Sequence, residues 1–186
     1  MELVEEASRD GNDALNFLVT NPAVVPAEIV DVQLPFRIEE SGLLPDSEGP
    51  GRFRGGLGMF RTHRYLQDET LIQMRSDRHV HQPYGLWGGQ SAPPGTTVIY
   101  SGGEGRPMPA KFLTVTNSGD AMRIEVPGGG GYGEPMERDP ERVLEDVIEE
   151  KVSDQRARDV YGVVVDLEHR TVDWEATYNL RQHRRA

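Results

Sequence analysis

Two arginines stand in a glycine-rich stretch, Asp46-Ser47-Glu48-Gly49-Pro50-Gly51-Arg52-Phe53-Arg54-Gly55-Gly56-Leu57-Gly58, which holds five Gly, two Arg and two acids in thirteen residues. In an extended segment Arg52 and Arg54 share a side, and a guanidinium fork binds carboxylate or phosphate bidentately. Glycines with no Cβ let backbone amides come close to such an anion, so Gly51, Gly55 and Gly56 belong with Arg52 and Arg54 in a candidate anion cradle. The competing reading pairs each Arg with Asp46 or Glu48 in an internal salt bridge. A second stretch, Val126-Pro127-Gly128-Gly129-Gly130-Gly131-Tyr132-Gly133, has four consecutive glycines. So much lost backbone entropy points to close approach, either of a ligand at Gly129 and Gly130 or of another chain passing over them.

A third stretch runs from Arg75 to Gly89 and contains His79 and His81. On a strand they share a face with Asp77, the parity a chelated metal would need. An H-x-H pair lacking a third defined ligand is more commonly surface or hydrogen-bonded histidine, and no metal site is assigned. No P-loop, no G-x-G-x-x-G in a strand-to-helix setting and no G-x-S-x-G elbow occurs in the chain. Nothing marks a general base, and the catalytic residues stay unassigned.

The charge supports an anion site in the middle of the chain. Of 186 residues, 31 are Asp or Glu and 20 are Lys or Arg, a formal net charge of −11. Residues 51–110 run against this trend, with 4 acidic and 7 basic side chains, and 18 of the 21 Gly lie between Gly49 and Gly133. The acidic total argues against a nucleic-acid partner. Neither a membrane-length apolar run nor a secretory leader is visible, so a cytoplasmic location and no membrane partner are expected. The absence of Cys removes disulfides and thiolate metal sites. With 36% apolar residues the core is thin, which points to a chain that leans on partners.

The elements that would position these residues are mainly strands. Ile29–Leu34 and Phe36–Ile38 alternate as a broken strand. Leu57–Leu66 and Thr70–Arg75 look like a pair joined by Gln67-Asp68-Glu69, and Thr96–Tyr100, Lys111–Thr116 and Met122–Val126 continue the pattern. Gly-rich turns between short strands predict a sandwich or barrel-like β domain. Helix signals follow Pro135: Asp139 caps a helix with Pro140 first and Val143, Leu144, Val147 and Ile148 on one face; Ser153 caps a second that stops at Gly162; Asp173 caps a third from Trp174 to about Arg184. The expected organisation is an arm over residues 1–20, a Gly-rich β domain over 21–134 and a helical segment over 135–186. The fold class is mainly β with a C-terminal α-helical segment, α+β overall.

Taken in order, DSEGPGRFRGGLG at 46–58, RSDRHVHQPYGLWGG at 75–89 and VPGGGGYGEPMERDPERVLEDVIEEKVSDQRARDVYGVV at 126–164 resemble the C-terminal portion of the hydantoinase B/oxoprolinase family. TNPAVVPAEIVDVQLPFRIE at 20–39 is similar to the stretch that leads into the first of them. The resemblance implies a subunit or C-terminal part of an ATP-dependent hydrolase of cyclic amides such as hydantoin or 5-oxoproline. It implies as the alternative an acetone- or acetophenone-type ketone carboxylase, or a purely structural module of such a complex. A hydantoinase A-like subunit would bind ATP, and the N-terminal portion of hydantoinase B, on another chain, would hold the divalent metal. The chain alone would be inactive. Phosphorylated intermediates in such chemistry are anions, which gives the Arg52/Arg54 cradle a use.

Overall fold

The computed structural model describes residues 9–15 and 25–185. Of the expected N-terminal arm, only residues 9–15 fall within the described part. Pro26 opens helix α1 (Ala27–Gln33), its carbonyl accepting from the amides of Ile29 at 3.1 Å and Val30 at 3.2 Å. This replaces the strand expected at Ile29–Leu34. The apolar residues there alternate, but the Pro26 φ of −54° leads directly into helical Ala27-Glu28, and Pro35 ends the turn.

Strands β1 (Phe36–Leu43), β2 (Met59–Tyr65), β3 (Thr70–Arg75), β4 (Thr96–Ser101), β5 (Glu104–Pro107), β6 (Lys111–Thr116) and β7 (Ala121–Glu125) follow. Five of them form an antiparallel sheet in the order β1-β2-β7-β4-β5, while β3 and β6 form a separate ribbon. The expected pairing of β2 with β3 is therefore corrected. Both edges of β2 are already taken, by β1 on one side and β7 on the other. The link between β2 and β3 turns away at Glu69, whose φ is +53°, with Asp68 accepting from the Ser118 amide at 2.9 Å. The β4–β5 hairpin turns on Gly102 and Gly103, both at positive φ, as two-residue hairpin loops require.

The ribbon packs on the sheet in a two-layer arrangement. Tyr65, Ile72, Ile99 and Met122 are buried between them, flanked by Phe36, Met108, Phe112 and Ile124. Each such side chain contributes about 1.5–3 kcal/mol by leaving water. A second core lies among the helices. In α2 (Pro140–Ile148) the Asp139 carboxylate accepts from the Glu141 amide, and in α3 (Asp154–Asp159) the Ser153 hydroxyl accepts from the Arg156 amide. Val143, Leu144 and Val147 then pack on Val152, Ala157, Tyr161, Val163 and Val172. A short hairpin of β8 (Val165–Asp166) and β9 (Thr171–Val172) leads to α4 (Trp174–Arg185), where Asp173 accepts from the Ala176 amide at 2.9 Å. All three caps fall where the sequence signals put them.

Candidate functional site

The glycine stretches meet one another. Residues 127–133 run extended between 47–56 on one side and 84–90 on the other, and their hydrogen bonds go to several neighbours. The Gly128 amide donates to the Ser47 carbonyl, that of Gly129 to Gly56 and that of Gly131 to Gln90, while the Gly129 carbonyl accepts from Gly49 at 2.7 Å. Phe53 and Tyr132 exchange both backbone bonds at 3.0 Å. A Cβ on Gly55 would run into the Gly129 carbonyl, and one on Gly130 into that of Tyr84. The close approach inferred from the sequence is therefore made by the chain's own backbone. Gly51, Gly55, Gly56, Gly129 and Gly130 are all buried in this lattice.

Arg52 and Arg54 do not share an environment. Arg54 is 4% exposed, and its fork is filled: Nε donates to Asp146 Oδ1 at 2.9 Å, and one terminal nitrogen donates to Asp13 Oδ1 at 2.9 Å and to the Gly55 carbonyl at 3.1 Å. Its backbone amide donates to Asp10 Oδ1 at 2.9 Å. Arg138, also buried, donates to both Asp10 oxygens at 2.5 and 2.8 Å and to Asp146 Oδ2 at 2.8 Å. Lys151 reaches Asp13 at 3.3 Å. Burial alone would pull the Arg54 pKa down, but the carboxylates of Asp146, Asp13 and Asp10 outweigh it and hold the guanidinium charged. Burial likewise pushes Asp10 up, and Arg138 and Arg54 outweigh that, leaving its carboxyl below the ordinary value.

Asp46 and Glu48, the salt-bridge partners expected for these arginines, pair elsewhere. Glu48 is fully buried; its Oε1 accepts from Arg156 Nε at 2.7 Å and from the Tyr161 hydroxyl at 3.0 Å. Its Oε2 has no hydrogen-bond partner among the described residues, and burial raises its pKa despite Arg156. Asp46 accepts from the Ser153 amide at 2.7 Å. Sequence reasoning missed Asp10, Asp13, Arg138, Asp146, Arg156 and Tyr161, which carry these networks. The one available signal was the excess of isolated acids and arginines flanking the glycine stretches, and spacing alone does not pair residues as far apart as Arg54 and Asp146, separated by 92 positions.

Arg52 is the exposed member of the pair. Its guanidinium lies 5.5 Å from the centre of the Phe53 ring. Phe53 and Tyr132 have ring centroids 6.5 Å apart, and Trp87 lies 5.3 Å from Tyr132 at an interplanar angle of 32°. Trp87 is 73% exposed and sits at φ +50°, a conformation bulky residues rarely adopt. The lattice therefore carries a row of Arg52, Phe53, Tyr132 and Trp87 on its surface, the types that dominate contact hot spots.

Among the described residues, no group of three or more His, Asp or Glu could hold a metal, so His79, His81 and Asp77 do not form a metal site. Of the loop amides, those of Gly49, Gly55, Gly128, Gly129 and Gly131 are spent within the lattice. These residues do not fit an ATP site. No helix is long and apolar enough to cross a membrane among the described residues.

The family pattern described as Hydantoinase B/oxoprolinase matches residues 5–135, and the chain belongs to that family. The provisionally named B component of a D-/L-hydantoinase from Pseudomonas sp. is 32% identical over 177 residues, which is 94% of this chain and 30% of that protein. The crystal structure of an ATP-dependent caprolactamase from Pseudomonas jessenii matches with a TM-score of 0.76 at 28% identity, over 84% of this chain and 28% of that one. Acetone carboxylase, in a nucleotide-free structure, matches with a TM-score of 0.81 over 96% of this chain and 29% of that one; at 21% identity it is a likeness of fold. The chain spans less than a third of the length of each.

Proposed function

We propose that this chain forms part of an ATP-dependent hydrolase of cyclic amides of the hydantoin or 5-oxoproline type and contributes a loop surface to a composite active site. The observation that carries the reading is the 32% identity to a D-/L-hydantoinase B component across 94% of this chain. It takes in the lattice, both arginines and the helical core together. The caprolactamase likeness supports amide chemistry over ketone carboxylation, because the acetone carboxylase match at 21% identity bears on fold alone.

In this reading ATP and a divalent metal are held outside these residues, by a hydantoinase A-like subunit and by the remaining portion of hydantoinase B. Arg52 supplies positive charge to a phosphorylated, anionic intermediate, and the aromatic row beside it keeps water from that face. The Arg54 fork is filled by Asp13 and Asp146, so its part is to hold Gly51, Gly55, Gly56, Gly129 and Gly130 rigid beneath Arg52.

The test is ADP release by the complex that copurifies with the tagged chain. Release stimulated by hydantoin or 5-oxoproline and not by acetone with bicarbonate is expected. Stimulation by the ketone and bicarbonate alone would overturn the hydrolase reading in favour of the carboxylase.

A further inference from the structure

The β3–β6 ribbon has one buried face and one unpartnered face. Ile72, Met74 and Phe112 point into the sheet side. Register places Leu71 opposite Val115, Gln73 opposite Leu113 and Arg75 opposite Lys111 on the other side. All six are exposed, Leu71 and Leu113 to 64% and Val115 to 55%. A two-stranded ribbon is marginal unless its faces are packed, and apolar residues stacked across a pair form a patch that water disfavours.

The ends of this face carry opposite charge. At one end Arg75 sits directly across from Lys111, a like-charge pair that destabilises a ladder. Asp77 eases it only weakly, lying 3.7 Å from Lys111 on a carboxylate that is 89% exposed. At the other end, just before β3, stand the exposed acids Asp68 and Glu69. The face is therefore cationic, then apolar, then anionic along the strand direction. A two-fold axis crossing the strands at the level of Ile72 and Thr114 would set Leu113 of one copy against Val115 of the other and each cationic end on the other copy's anionic end.

We propose that the outer face of the β3–β6 ribbon is an interface between two copies of this chain, packed face to face and antiparallel. The charge gradient favours a second copy as occupant, because one surface carries both halves of the complement and a two-fold arrangement satisfies them together.

Sedimentation velocity and light scattering on the full chain test this. The expected mass is twice the 20.8 kDa of one chain, falling to one chain for Leu113→Asp. Two charge variants make the test specific: Arg75→Glu with Lys111→Glu leaves both ends acidic, and Asp68→Lys with Glu69→Lys leaves both basic. Each alone should be monomeric, and an equimolar mixture should return to double mass, with circular dichroism confirming that each is folded. A monomeric parent chain would overturn the proposal and assign the face to a different partner. So would variants that stay dimeric, or folded charge variants whose mixture stays monomeric.

Discussion

Arg54 in the glycine lattice and Asp146 in helix α2 meet at 2.9 Å with both side chains buried, 92 residues apart in the chain. This ion pair ties the glycine stretch to the helical core, and through Arg138 and Asp10 it ties residues 9–15 to both.

Removing Arg54 leaves buried Asp146 with Arg138, and Asp13 with Lys151, as the remaining cation, so each carboxylate loses a charge-assisted bond and Asp146 Oδ1 loses its donor. Arg54→Ala should cost about 3–5 kcal/mol, which for a chain of this size lowers the melting temperature by roughly 10 °C. Arg54→Lys should recover only part of this, since a point charge cannot serve Asp13 and Asp146 as a fork does. Thermal melts of the three proteins decide the matter; a parental midpoint for Arg54→Ala would show that the network is dispensable.

The lattice itself makes a sharp demand on side-chain size. Gly55→Ala and Gly130→Ala each force a methyl into a backbone carbonyl, and both should fold poorly or melt far below the parent. Gly42→Ala in strand β1 is the control, because its methyl would lie 3.3 Å from a carbon of the Phe60 ring, a contact that small movements relieve. Comparable losses for all three would mean that glycine is needed for some reason other than backbone approach.

Carboxylates of opposite behaviour, half-buried Asp10 and Asp13 and fully buried Glu48, predict a maximum in the pH dependence of stability. Asp10 and Asp13 are held below their ordinary 3.8 because Arg138 and Arg54 outweigh burial. Their contribution is present above that value and is lost as pH falls through the folded one. Glu48 is raised above its ordinary 4.5 by burial, so the protonated form is favoured by folding and that stability is lost as pH rises through its folded value. Urea midpoints from roughly pH 3 to 7 should flatten on the acid side in Asp10→Asn and on the alkaline side in Glu48→Gln. An unchanged profile in both variants would contradict these assignments.

Much of this architecture was legible in the sequence, and the gaps have physical causes. The caps at Asp139, Ser153 and Asp173 act through bonds to residues two or three positions on, so their signals are local and the helices stand where expected. The strands were visible as short apolar runs, but which ones pair was not, because β2 rejects β3 only when β1 and β7 already occupy its edges. α1 looked extended because a helix of seven residues offers too few turns for a helical period to show. The need for close approach at Gly129 and Gly130 was readable from composition. That the approaching group is Tyr84 or Gly49 backbone depends on long-range topology, as does the filling of Arg54 by Asp13 and Asp146.

The proposed function divides labour between two arginines two positions apart, one with its side chain exposed, Arg52, and one with its side chain buried, Arg54. Turnover of cyclic amide with ATP by the assembled complex, measured for Arg52→Ala beside a melting curve, tests this division most directly. A contact made chiefly to a developing anion is worth on the order of 3–4 kcal/mol, so turnover should fall roughly 10²–10³-fold while assembly and melting temperature stay at parental values. Parental turnover by an assembled Arg52→Ala complex would contradict it and leave the lattice a purely structural module.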